Sequence, residues 1–132
     1  MTMEYTIYSV KDFIRKTPTG RLDIDKSLRI VREILTLAGF HRDHNILVDL
    51  QKTEPLSNFG DILKVAIEFA KYQDVFRDKI AFVIPNTPDR LEKAKFFMAA
   101  LGEATFKIEY FTDFENAIEW FSKTTEYPKY RT

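Results

Sequence analysis

Two short, nearly continuous apolar runs, Ile46-Leu47-Val48-Asp49-Leu50 and Ile80-Ala81-Phe82-Val83-Ile84, each lie between segments of helical periodicity. Runs of about five residues bounded by turn signals read as strands covered on both faces. Their alternation with helices predicts an α/β fold whose sheet is mainly parallel and wound by right-handed crossovers. A third parallel strand is predicted over Phe106–Phe111, where Phe106, Ile108 and Tyr110 alternate with Lys107 and Glu109, as in an edge strand. At the start, Tyr5–Val10 and Phe13–Thr17 read as an N-terminal hairpin about Lys11-Asp12, which makes the sheet mixed; Thr19-Gly20 then turns the chain.

The helices between these runs should pack on the sheet. In the first, capped by Asp23 or Asp25, Leu28, Val31, Ile34, Leu35 and Ala38 share a face, and Gly39 is placed for a C-terminal cap. The second carries Phe59, Ile62, Leu63, Ala66, Phe69 and Ala70, widened by Val65 and Ile67, and is expected to be the most enclosed. Thr87-Pro88 opens the third, which should bury Leu91, Ala94, Phe97, Met98 and Leu101. Thr112-Asp113-Phe114-Glu115 reads as a capping box for the fourth, with Phe114, Ala117, Ile118 and Phe121 inward. Residues 1–124 are expected to form a single domain and 125–132 a frayed tail.

Chemistry is constrained mainly by what the chain omits. No cysteine means no disulfide, thiolate nucleophile or Cys-based zinc site. With Lys+Arg and Asp+Glu both at 20, the net charge is zero, which predicts no nucleic-acid partner. The opening residues lack the pattern of a secretory signal, and no stretch reaches the ~18 apolar residues of a membrane span, so a cytoplasmic location without a transmembrane segment is expected. Neither G-x-G-x-x-G, G-x-x-x-x-G-K-[ST] nor G-x-S-x-G occurs, so no cofactor and no enzymatic activity are expected. His41-Arg42-Asp43-His44 lacks the i, i+4 helical spacing of paired ligands and falls at the amino ends of the strands, away from the rim where such sheets bind ligands; no metal is expected.

On that rim, Asp25, Thr87, Thr112 and Asp113 serve as helix caps or their neighbours. Asp49 stands out, because a buried carboxylate costs several kcal/mol unless it is paired or hydrogen-bonded. Backbone N–H groups of the loop beyond it would supply such bonds. Phe96 falls off the stripe of its own helix and should face solvent or a partner.

Strand, strand, helix and then three strand–helix units, from Tyr5 to about Phe121, resemble the STAS domain in its SpoIIAA-like branch, the fold of anti-sigma factor antagonists. Three segments carry the resemblance: Thr17-Pro18-Thr19-Gly20-Arg21-Leu22-Asp23 before the first helix, Val48-Asp49-Leu50, and the closing helix Phe114-Glu115-Asn116-Ala117-Ile118-Glu119-Trp120-Phe121. Regulatory members of that family carry Asp-Ser-Ser-Gly at the start of the second helix, where a partner kinase phosphorylates a serine. Here the motif falls on Ser57-Asn58-Phe59-Gly60: Gly60 matches, while Asn58 stands at the phospho-accepting position.

The resemblance implies a non-enzymatic, regulatory module that binds another protein. Asp49, Gln51, Thr53, Ser57, Asn58 and Gly60 would form its recognition surface, with Phe96 a further contact and a homodimer left open. The alternative is a carrier of a lipid or small apolar ligand, which predicts a cavity lined by Phe59, Phe69, Phe97 and Phe114.

Overall fold

A computed structural model of the chain describes residues 10, 12–76, 78–102 and 107–123. The strand expected over Tyr5–Val10 lies outside the described residues except for Val10, which is not in a strand; Phe106 and the tail 125–132 also lie outside them. The order is β1 (Phe13–Lys16), β2 (Gly20–Arg21), α1 (Ile24–Phe40), β3 (Asn45–Asp49), β4 (Thr53–Glu54), α2 (Phe59–Lys71), a 3₁₀ turn (Gln73–Val75), β5 (Lys79–Val83), α3 (Pro88–Leu101), β6 (Lys107–Phe111) and α4 (Phe114–Ser122).

Among the described residues the main sheet has the order β1-β3-β5-β6, and every pairing is parallel. Each crossover steps one strand in the same direction. Right-handed connections therefore carry α1, α2 and α3 to one face, and α4 is left to cover the other. The side chains agree. Ile46 and Val48 of β3 and Ile80 of β5 pack with Val31, Ile34, Ala66 and Phe69. Leu47, Ala81 and Val83, pointing the opposite way, pack with Ala117 and Phe121. Alternation along one strand thus feeds two cores, and all five β3 residues are buried.

Local chemistry sets the ends of the elements. Asp23, Asn58, Thr87 and Asp113 each cap a helix by accepting the backbone N–H of the third residue onward. Two predicted caps are corrected. Gly39 lies inside α1, which runs on to His41 as C-cap without a left-handed residue. At α4 the cap is Asp113 rather than Thr112, and the side chain of Asn116 returns a bond to the Asp113 carboxylate at 2.8 Å.

The sequence patterns do not reveal the two-residue parallel pair of β2 and β4, Gly20 to Thr53 and Arg21 to Glu54. Gly20 turns the chain into it at φ +86°, a conformation that favours glycine. This pair draws the loop after β3 toward the start of α1 and closes the carboxyl end of the sheet on the side of α1, α2 and α3.

Candidate functional site

Beneath those three helices lies an apolar cavity of about 140 Å³. Phe69 of α2, Phe82 of β5, Phe97 of α3 and Tyr110 of β6 give it an aromatic wall, with Met98 of α3 beside them. Ile30 and Val31 of α1 and Leu56 of the loop before α2 help close it. The cavity explains why α3 buries little: only Arg90 and Leu101 are fully buried there, while Ala94, Phe97 and Met98 border the cavity. Of the four aromatics expected to line a pocket, Phe69 and Phe97 do so. Phe59 and Phe114 do not, being 38% and 40% exposed. Phe114 instead packs beside Phe13, with the Arg15 guanidinium 5.2 Å from its ring centre.

Polar groups reach this apolar wall at few places. Arg90, in the first turn of α3, is 8% exposed. Its guanidinium donates to the Thr53 carbonyl oxygen at 2.7 Å and to Thr53 Oγ1 at 3.1 Å. Thr53 Oγ1 in turn donates to the Leu50 carbonyl at 2.6 Å, so α3, β4 and the end of β3 are held together by one buried cation. Burial pushes the Arg90 pKa below its ordinary value, and the neighbouring Asp89 carboxylate partly opposes this. Asp89 forms its ion pair with Lys93, at 3.1 Å. Arg90 has no carboxylate bonded to it among the described residues. Ser27 of α1, on the same lining, is 7% exposed, and its Oγ has no hydrogen-bond partner among the described residues.

The residues singled out from the sequence separate into three groups. Thr53 is buried at the cavity through Arg90. Asp49 is buried and satisfied: it accepts from Arg15 Nη2 at 2.8 Å and from the Gln51 N–H at 3.0 Å. Gln51, Ser57, Asn58 and Gly60 are exposed. Asn58 caps α2, its Oδ1 accepting the Asp61 N–H at 2.8 Å while its Nδ2 donates to the Asp61 carboxylate at 3.3 Å. Phe96 reaches this region through Phe59, the two rings meeting edge-on with centres 4.9 Å apart.

The buried stripe of α2 is narrower than its apolar pattern. Ile62, Val65, Ala66 and Phe69 are buried, whereas Leu63 and Ile67 are 42% and 48% exposed. Their spacing with Phe59 is i, i+4, i+8, so they form a ridge on the outer side of the helix. Ser27 and Arg90 carry no apolar side chain and so do not register in the hydrophobic periodicity. Yet Ser27 stands in register with Val31, Ile34 and Ala38, and Arg90 with Ala94, Phe97 and Leu101. A polar residue on a buried stripe was the signal.

No protein-family model and no curated protein matches the sequence. Among solved structures, an uncharacterised protein of the DUF3478 family from Shewanella loihica PV-4, described as having a SpoIIAA-like fold, superposes with a TM-score of 0.50. The match covers 91% of this chain and 99% of that one at 16% identity. The chain has a SpoIIAA-like fold. At that identity the likeness speaks to architecture alone. Within the SpoIIAA-like fold the cavity lies under the three crossover helices, near the carboxyl ends of β3 and β5, where open α/β sheets bind ligands. No helix among the described residues is long and apolar enough to cross a membrane.

Proposed function

We propose that this chain is a non-enzymatic binding module whose ligand is a small, largely apolar molecule held under α1, α2 and α3. The cavity carries this reading. Its volume of about 140 Å³ is close to that of an engineered apolar cavity of ~150 Å³ that takes up benzene and xenon.

Toluene is a suitable probe. Titrated into ¹⁵N-labelled protein, it should saturate and shift the amide signals of Ile62, Val65, Phe97 and Met98. An Ala94→Phe variant, which places a ring in the cavity, should fold and lose that binding. If saturating toluene moves none of those signals, the reading is wrong.

A second reading, a regulatory protein–protein contact, is favoured by the ridge of Phe59, Leu63 and Ile67 with Phe96 beside it. It borders the capped start of α2, where the family resemblance puts the switch. Asn58 offers no hydroxyl to phosphorylate, and the Thr53 hydroxyl is buried against Arg90 and the Leu50 carbonyl. Contact there would therefore be constitutive or would use the exposed Ser57. A second copy of the chain fits as partner, since zero net charge opposes no self-association. Sedimentation should then show a dimer that Leu63→Glu dissociates; a monomer at all concentrations rules out the second copy.

A further inference from the structure

We propose that the ligand of this cavity is a small carboxylic acid, an apolar body in the cavity with its carboxylate bound by Arg90 and Ser27. This rests on the apolar-ligand reading and names the chemical class that the site selects. Three observations carry it.

The first is the state of Arg90. A guanidinium has five N–H donors, and among the described residues it forms two bonds, both to Thr53. A cation 8% exposed with no carboxylate bonded to it among those residues is costly to bury, and an anionic ligand is what relieves that cost. The second is the Ser27 Oγ, unpartnered among the described residues, a donor 7% exposed on the wall of the same cavity. A buried hydroxyl without a partner is uncommon, and a ligand oxygen is one explanation of it.

The third is charge. The lining includes Arg90 and Lys93 and no Asp or Glu. Asp89, outside the lining, pairs with Lys93 at 3.1 Å and acts on Arg90 without bonding it, so one carboxylate answers two cations at the cavity. A neutral ligand would leave both Arg90 and Ser27 as they are. A free phosphate could meet the cation but would leave the aromatic wall unfilled. A monocarboxylate with a ring or short alkyl chain satisfies the apolar and polar parts together, with charge-assisted bonds from the planar guanidinium.

The experiment compares benzoate with toluene, which has the same ring without the charge, by amide chemical shifts of the full chain. Benzoate should bind about 10- to 100-fold more tightly than toluene, the range expected of a charge-assisted hydrogen-bonded pair. In Ser27→Ala, benzoate should weaken about 5-fold while toluene stays unchanged. In Arg90→Met, the preference for benzoate should disappear. Because Arg90 also ties α3 to β4, the Ser27 variant keeps the test decisive if Arg90→Met fails to fold. Should toluene bind as well as benzoate, the carboxylate assignment is overturned and the apolar cavity stands. Should neither bind, both readings fall.

Discussion

At the scale of single residues, the molecule separates buried polar groups that are satisfied from those that are not. Asp49 belongs to the first kind. Its two carboxylate oxygens are taken by Arg15 and by the Gln51 N–H, which accounts for an acid at the end of an apolar strand without invoking catalysis. Arg15 is half exposed, so solvent screens the ion pair and the backbone bond matters more. Asp49→Ala should therefore cost about 1–3 kcal/mol in urea unfolding, and Asp49→Asn, which keeps an acceptor for Gln51, less than half of that. Equal losses in the two variants would put the weight on the ion pair instead. Ser27 belongs to the second kind. Removing an unbonded buried hydroxyl should leave stability unchanged or raise it by up to about 1 kcal/mol. A clear loss in Ser27→Ala would show that the hydroxyl has a structural partner. Arg90 remains charged throughout the neutral range even with its pKa lowered by burial. Recognition through its charge should therefore not vary with pH there.

At the scale of elements, the sequence foretold much and missed the rest for physical reasons. The β3 and β5 runs, the edge pattern of β6 and the starts of α1, α2 and α3 follow from periodicity and capping chemistry, which are local. The β2–β4 pair is not local. Two residues carry no periodic signal, and they pair only because the loop after β3 returns to the start of α1. The buried stripe of α2 is narrower than its apolar pattern, because the neighbouring helices cover one side only and leave Phe59, Leu63 and Ile67 outside. At the start of α2, Asn58 is the N-cap. Asn58→Ala should cost about 1 kcal/mol, whereas Asn58→Ser, which retains a capping oxygen, should be nearly neutral by thermal unfolding. If both were neutral, capping would not explain this residue.

At the scale of the whole molecule, a SpoIIAA-like sheet wound to one side stacks α1, α2 and α3 over the same face, and an apolar space stays open beneath them. An apolar pocket of about 140 Å³, large enough to admit benzene, invites a functional explanation. The parallel sheet followed from the alternation of elements; of the aromatics expected at a cavity only Phe69 and Phe97 line it, because the lining depends on how large side chains such as Phe69, Phe82 and Phe97 meet in three dimensions. The most direct test is a crystal structure determined under xenon pressure. The account predicts a xenon atom between the aromatic wall of Phe69, Phe82 and Phe97 and the α1 residues Ile30 and Val31. Side chains closed over that space, with no xenon bound, would contradict it.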